Sequence, residues 1–262
     1  MQVITSTEMA ALDANCEYYG LARMQLMENA GASLANIIKQ KFPQDTPVTI
    51  FAGKGSNGGD AFVAARHLTG YNVQVFLLGR GDEIKTAGAR WNFSILKKAG
   101  TPIIEITDST QIPELDNDCV IIDAIFGTGI KGRLRPLEST AIDRINSCAS
   151  EVVSVDVPSG LDPDTGDFKK AVRSNITITF HNPEVFCEGC EGEILGKGGS
   201  FIPQEKIDHL VSLLPPETEA PATKPPSEEE TPSEETQGSP GFGIITAFLG
   251  LFLVMFYLAK RR

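Results

Sequence analysis

One stretch of the sequence decides the fold: residues 48–68 read VTIFAGKGSNGGDAFVAARHL. Its first five residues form an apolar run that is typical of a buried strand. The glycines that follow indicate a tight turn, and residues from about 60 to 68 have the composition of a helix. A strand, a glycine-rich turn and a helix in this order indicate a βαβ unit, which requires a parallel sheet.

The same alternation continues on both sides of this stretch. Apolar runs predict further strands at residues 73–78, 103–106, 119–122, 151–157, 176–180 and 192–195. Helices are predicted at residues 7–19, 24–40, 87–99 and 140–147. Strands that alternate with helices build a parallel sheet with helices on both faces. We therefore predict a Rossmann-like, doubly wound α/β/α sandwich with a mostly parallel sheet for residues 1–214.

The glycine-rich turn at residues 53–60 is the first candidate site. It contains G-x-G-x-x-G between a strand and a helix, where backbone N–H groups and the helix dipole can hold a phosphate. A dinucleotide dehydrogenase would carry an acidic residue after the next strand, where this sequence has Gly79-Arg80. A turn that serves only geometry is the other alternative, and the polar residues Asn57 and Asp60 argue against it.

Two further loops carry polar side chains near the ends of predicted strands. Asp123 begins the loop DAIFGTGIKGR, and Asp156 and Ser159 lie in the segment VDVPSG. The carboxyl ends of parallel strands share one edge of the sheet, so Asn57, Asp123 and Ser159 can converge. Their oxygen donors suit a hard cation rather than zinc, and a single carboxylate favours a monovalent ion. The alternative for Asp123 is a carboxylate that only caps the N–H groups of its own loop.

Composition and charge narrow the function classes. The chain has 262 residues and a net charge of −11, to which residues 1–214 contribute −8. An acidic domain argues against a nucleic-acid partner, because binding to phosphate backbones depends on clusters of Lys and Arg. Five cysteines, an odd number in a chain of this size, indicate a reducing compartment. The first residues show no secretory signal, so we expect the domain to be made in the cytoplasm.

The composition changes abruptly after residue 214. Residues 215–240 contain seven Pro and seven Glu and no aromatic residue, which predicts a disordered, self-repelling linker. Residues 241–259 carry no charge and would span about 28 Å as a helix, close to the thickness of a bilayer core. A basic tail, residues 260–262, follows. We predict that residues 241–259 cross a membrane once.

Four motifs in order give the sequence a specific resemblance. The runs LMENAG, GKGSNGGDAFVAARHL, DAIFGTGIKG and SVDVPSGLDPDTGD resemble the NAD(P)H-hydrate epimerase family, the YjeF N-terminal domain, over roughly residues 1–205. That family interconverts the R and S hydrates of NADH and NADPH, binds potassium and is commonly a homodimer. The resemblance implies two substrate-binding loops, with residues Ser56, Asn57, Gly58, Gly59 and Asp60 in one and Gly127, Thr128, Gly129, Ile130, Lys131, Gly132 and Arg133 in the other.

The resemblance also implies individual roles. Asp156 would bind the substrate and act as acid or base at the hydrated nicotinamide carbon. Asn57, Asp123 and Ser159 would be the potassium ligands. Two alternatives come from other classes: a non-catalytic dimeric scaffold or nucleotide-binding module built on the same domain, and a dinucleotide dehydrogenase.

The C-terminal segment has a resemblance of its own. Pro240-Gly241-Phe242, the apolar run and the basic end are similar to an archaeal PGF-CTERM sorting signal. A basic end after the membrane segment favours a cytoplasmic C-terminus and an external domain, whereas the dinucleotide substrate lies in the cytoplasm. We expect a single-pass protein of the cell membrane whose catalytic domain is cytoplasmic.

Overall fold

The computed structural model describes residues 5–129 and 133–180, and the backbone of residues 193–196. The chain divides into two units, Met1–Pro215 and Pro216–Arg262, and every described residue lies in the first. The helices are α1 (Ser6–Tyr18), α2 (Arg23–Lys41), α3 (Ser56–His67), α4 (Ala87–Lys98) and α5 (Pro136–Ser147). The strands are β1 (Val48–Ala52), β2 (Val73–Leu78), β3 (Ile103–Ile106), β4 (Val120–Ala124), β5 (Glu151–Val155), β6 (Ile176–Thr179) and β7 (Glu193–Gly196).

The strands form one sheet in the order β3-β2-β1-β4-β5-β6-β7, and each neighbouring pair is parallel. The predicted α/β class with a parallel, Rossmann-like sheet is confirmed. The chain reverses its direction of travel across the sheet between β1 and β4. Ligands of such folds bind beyond the carboxyl ends of the strands at this switch point.

Alternate side chains of the strands enter two separate cores. Val48 and Ile50 of β1 pack with residues of α2, α3 and α4 on one face. Phe51 of β1 and Ile121 of β4 pack with Ala141 and neighbouring residues of α5 on the other face. Strands that are apolar on both faces belong to a sheet covered on both sides, as the continuous apolar runs predict.

Several element boundaries differ from the predicted ones. Helix α3 begins at Ser56 rather than near residue 60, because the glycines of the turn are themselves helical. Strand β4 ends at Ala124, so Asp123 lies inside the strand and not after it. Strand β5 ends at Val155, so Asp156 follows the strand instead of lying in it. Helix α5 begins at Pro136, a residue whose fixed φ suits the first helical position.

The C-terminal predictions fall on residues that the structure does not describe. These are the linker at 215–240, the membrane segment at 241–259 and the basic tail at 260–262. Within the described residues, no helix has both the length and the apolar character needed to cross a bilayer.

Helix α2 packs closely on α3 because residue 31 is glycine. A Cβ atom on Gly31 would lie 2.3 Å from the Cβ of Val63 and 2.4 Å from the backbone oxygen of Asp60.

We expect Gly31→Ala to lower the free energy of unfolding by about 1–3 kcal/mol despite the better helix propensity of alanine, since backbone atoms cannot yield. Urea unfolding measures the change. Gly88→Ala in α4 is the matched control, because its Cβ would meet only the flexible end of Met27, and it should change stability by less than about 1 kcal/mol. An unchanged Gly31→Ala variant would contradict this account of the packing.

Candidate functional site

The loops after β1 and β4 touch at the switch point. The Gly53 N–H donates to the backbone oxygen of Ala124 at 2.9 Å. A Cβ atom on Gly53 would lie 1.9 Å from the backbone oxygen of Ile125, so no side chain fits at this position. The two loops are therefore neighbours at the edge of the sheet where the predicted site residues converge.

The first turn of α3 opens into this site. Its N-cap residue is Gly55, and no side chain caps the helix. The first N–H groups of the helix are left without a side-chain acceptor, and such groups favour an anion. Gly58 packs against the preceding loop, since a Cβ there would lie 2.1 Å from the backbone oxygen of Gly53. Gly58 therefore lets the helix start lie close to the loop.

Asn57 connects three segments beneath the cavity. Its Nδ2 donates to the backbone oxygens of Phe126 at 2.8 Å and Val155 at 3.1 Å, which fixes the orientation of the amide. The Asn57 Oδ1 atom is buried and has no hydrogen-bond partner among the described residues. An unpartnered buried oxygen costs free energy, and a cation ligand is one role that removes this cost.

Asp123 is fully buried in β4. Its Oδ2 accepts hydrogen bonds from the Ser154 hydroxyl and the Ser159 N–H, both at 2.9 Å. Burial raises the pKa of this carboxyl, and the hydrogen bonds from Ser159, Ser154 and Ile125 lower it in part. The described residues place no cationic side chain against it, so the carboxylate suits a bound cation.

Ser159 completes the group of oxygen donors. Its hydroxyl accepts from the Phe126 N–H at 2.9 Å and donates to the Phe126 backbone oxygen at 3.3 Å. The Phe126 backbone oxygen also accepts a hydrogen bond from the Asn57 amide, and the Ser159 N–H donates a hydrogen bond to Asp123. The structure thus links the three predicted cation ligands, since Asn57 and Ser159 both bind the backbone of Phe126 and Ser159 also binds Asp123.

Asp156 follows β5 in a left-handed conformation with φ of 70°, the one positive φ of a non-glycine residue in the described part of the chain. Such backbone is strained and is often found at functional sites. The Asp156 Oδ2 accepts from the Thr128 N–H at 2.9 Å. Burial raises the pKa of this carboxyl, and the hydrogen bonds from Thr128 oppose the rise.

Two further carboxyls surround Asp156. The pKa of Asp60 is raised well above its ordinary value, first by burial and then by the charges of Asp156 and Asp13. The pKa of Asp13 is raised by burial and by Asp156, while Arg23 acts in the opposite direction. Asp13, on α1, is a site residue that the sequence analysis missed. Its signal was a carboxylate beside the apolar positions Leu12 and Cys16 of α1, which are buried in their own small cluster.

A cavity of about 790 Å³ lies over these groups. This volume is in the range of ligand pockets. The wall contains these three carboxyls, a fourth from Glu138, and four basic residues, Arg23, Lys54, Lys85 and Arg135. A cavity with both kinds of charge suits a ligand that carries phosphates and a polar reactive ring.

The predicted substrate residues are distributed unequally around the cavity. The lining includes Ser56, Asn57, Asp60, Gly127, Thr128, Gly129 and Asp156. Gly58 and Gly59 are buried behind it, and Arg133 is exposed and does not line it. Ile130, Lys131 and Gly132 lie outside the described residues. Sequence reasoning also missed Lys85 and Glu138, which reach the cavity from the starts of α4 and α5.

Comparisons with known proteins find similar chains over most of the described residues. The family described as YjeF-related protein N-terminus matches residues 23–185. A bifunctional NAD(P)H-hydrate repair enzyme of Archaeoglobus fulgidus is 49% identical over 181 residues, which are 69% of this chain and 37% of that protein. This chain thus spans little more than a third of that relative. An NAD(P)H-hydrate epimerase of Cenarchaeum symbiosum is 41% identical, with 68% of this chain and 84% of that protein covered.

A solved structure has the same fold. The crystal structure of the yeast protein ynu0 superposes with a TM-score of 0.72 at 26% identity, covering 84% of this chain and 98% of the yeast chain.

The three neighbouring carboxyls should make the stability of the domain depend on pH. A carboxyl with a raised pKa keeps its proton to higher pH in the folded state, so the contribution of Asp60 to the free energy of unfolding falls as pH rises above its ordinary pKa near 3.8. Asp60→Asn should therefore be more stable than the wild type at pH 7, and the difference should disappear near pH 3.8. Melting temperatures of both proteins between about pH 3.5 and pH 8 would measure this difference.

Asp162→Asn is the control with the opposite sign. Hydrogen bonds from Asp164 and Thr165 lower the pKa of Asp162, so its contribution is present at neutral pH and is lost as pH falls. This variant should be less stable than the wild type at pH 7. If both variants shift in the same direction, the carboxyl cluster does not repel as described.

Proposed function

The chain belongs to the YjeF-related N-terminal family, and from this premise we propose that it interconverts the R and S hydrates of NADH and NADPH. The observation that carries the proposal is Asp156, a strained residue with a raised pKa in the wall of the cavity, with Asp60 and Asp13 beside it. Raised carboxyl pKa values are what acid and base catalysis near neutral pH requires. The relatives named as hydrate repair enzymes and epimerases support the choice of substrate.

The basic side of the cavity would hold the diphosphate. The first N–H groups of α3 have no side-chain cap, and Lys54 and Lys85 lie close to them, since the Lys85 N–H donates to the Lys54 backbone oxygen at 2.8 Å. Lys54 is also bonded to Glu83 at 2.6 Å. Helix N-termini and lysines together bind phosphate groups. The loop at Gly127, Thr128 and Gly129 would then lie over the hydrated ring.

Asp156 would transfer the proton of the reaction. Its carboxyl protonates the hydroxyl of the hydrated carbon, the carbon–oxygen bond breaks, and the lone pair of the ring nitrogen stabilises the planar cation that remains. Water then adds to the opposite face of the ring, and a proton returns to the carboxylate. The carboxylates of Asp60 and Asp13 would stabilise the cation, because opposite charges attract one another strongly at partly buried positions.

Asn57, Asp123 and Ser159 would hold a potassium ion. The unpartnered Asn57 oxygen and the buried carboxylate of Asp123 fit an ion of this kind. The ion would neutralise Asp123 and fix the loops that carry Phe126 and Ser159. A divalent ion fits less well, because a single carboxylate is available.

Assembly and location complete the proposal. We also propose that the domain forms a homodimer, that residues 215–240 link it to the C-terminal segment, and that residues 241–259 cross the cell membrane once with the catalytic domain in the cytoplasm. The resemblance of residues 240–262 to a PGF-CTERM signal and the uncharged run of 19 residues support the membrane part. The competing function is a non-catalytic dimeric scaffold. The carboxyls in the cavity wall argue against it, because a scaffold does not need them.

Asp156→Asn should abolish epimerisation while the fold is kept. Asn tolerates the left-handed conformation and keeps one acceptor for the Thr128 N–H, but it cannot transfer the proton, a role typically worth about 10²- to 10⁴-fold in rate. Turnover of both hydrates and the melting temperature are measured on one preparation. Asp143→Asn, which removes an exposed carboxylate bonded to Lys170, is the control and should keep wild-type turnover. A folded Asp156→Asn variant within about threefold of wild-type turnover would remove Asp156 from catalysis, whereas a folded wild type without turnover would favour the scaffold.

Potassium should stabilise the domain, since an ion that binds only the folded state raises the free energy of unfolding. Melting temperatures are compared in potassium chloride and in the chloride of a bulky organic cation at equal ionic strength. The wild type should melt higher in potassium, and Asp123→Asn should lose the difference. Equal melting of the wild type in both salts would remove the cation from the proposal.

A further inference from the structure

Glu138 is a carboxylate whose burial the site described so far does not explain. It lies in the first turn of α5 and is 2% exposed. Its Oε1 is bonded to the guanidinium of Arg135, a side chain that is itself largely exposed. Its Oε2 is buried and has no hydrogen-bond partner among the described residues.

Both members of this pair line the cavity. A buried carboxylate oxygen without a donor is costly, and a ligand that supplies hydroxyl or amino hydrogens removes the cost. Arg135 already balances the charge of Glu138, so the free oxygen calls for a neutral donor rather than a cation. The sugar hydroxyls of a nucleotide are donors of this kind.

The position of Glu138 agrees with a ribose. Leu78, the last residue of β2, lines the same cavity and packs in one hydrophobic cluster with Leu137 and the next turn of α5. In dinucleotide-binding sheets the carboxylate that binds the ribose 2′-hydroxyl stands near the end of this strand. Here β2 continues into Gly79-Arg80, which offers no carboxylate.

The other carboxylates near that strand end are already engaged. Glu83 binds Lys54, and Glu105 accepts from the Gly81 N–H at 3.1 Å. Neither of them lines the cavity, and neither does Arg80, the one basic residue directly after the strand. Apart from the three aspartates already described, Glu138 is the carboxylate of the described cavity wall, and its helix shares a hydrophobic cluster with the last residue of β2.

On the basis of the proposed epimerase function, we propose that Glu138 is its specificity-determining residue. It accepts hydrogen bonds from the ribose hydroxyls of the adenosine half and makes the site favour the hydrate of NADH over that of NADPH. A 2′-phosphate would replace a donor by a dianion next to a buried carboxylate, which repels it. Arg135, held by Glu138, is withheld from that phosphate.

Glu138→Gln tests this assignment. The variant removes the charge, keeps the size of the side chain and releases Arg135. We expect the ratio of kcat/KM for the hydrate of NADH to that of NADPH to fall by about ten- to a hundredfold, mainly through KM, since the lost bonds involve a charged acceptor. The control is Glu114→Gln, which removes an exposed carboxylate bonded to Arg144 of α5, and it should leave the ratio unchanged.

A binding measurement separates this proposal from the catalytic one. Calorimetry with ADP-ribose and with its 2′-phosphate reports on the adenosine half without a reaction. The wild type should bind ADP-ribose at least about tenfold more tightly, and Glu138→Gln should remove most of that preference. Glu138→Met repeats the comparison without a polar group if the Gln variant does not fold.

Each result has a distinct meaning. A wild type that turns over both hydrates equally, with a ratio that Glu138→Gln leaves unchanged, overturns the assignment of Glu138 and leaves the epimerase function standing. A wild type that binds neither nucleotide and turns over neither hydrate overturns both proposals. A preference that persists in both Glu138 variants assigns specificity to other residues and also overturns this inference.

Discussion

The site depends on the contact between the loops after β1 and β4. At the point where the sheet reverses its strand order, Gly53 lies against Ile125 so closely that a Cβ atom cannot be accommodated. This contact places the start of α3 beside the β4–α5 loop. Asn57 then reaches the backbone oxygen of Phe126 in the facing loop, and Phe126 in turn is bonded to Ser159 after β5. Three loops from distant parts of the chain are thereby joined through short polar contacts at one edge of the sheet.

The carboxylates at this edge are a second consequence of the same arrangement. Parallel strands direct the ends of β4 and β5 to one edge of the sheet, where Asp123 is fully buried and Asp156 is partly buried, and no basic side chain among the described residues lowers the pKa of either. A structural site would pair such charges, because an unpaired buried carboxylate is destabilising. Here backbone N–H groups and serine hydroxyls stabilise the carboxylates in part. The destabilisation that remains is of the kind found at functional sites.

Much of this arrangement could be predicted from the sequence, and the exceptions have physical reasons. Strands β1, β2 and β3 have the predicted bounds, because continuous apolar runs between turn residues have few alternatives. The predicted start of α3, near residue 60, was wrong. Gly58 and Gly59 favour a loop locally and are helical only because tertiary packing requires small residues there. Asp13 and Glu138 could not be assigned to the site, because α1 and α5 reach the cavity through the fold and not through any local motif.

The distribution of charge in the cavity bears on how the reaction proposed for it could be accelerated. The ionised carboxyls repel one another in the group formed by Asp13, Asp60 and Asp156. The raised pKa values of Asp60 and Asp13 indicate this repulsion. A neutral hydrated ring does not relieve that repulsion, whereas a ring that becomes cationic as its hydroxyl leaves does. The interaction is then stronger in the transition state than in the bound substrate, which is the condition for lowering a barrier rather than only tightening binding. The stability lost to the carboxyl cluster and the stabilisation of a developing positive charge would thus have the same electrostatic origin.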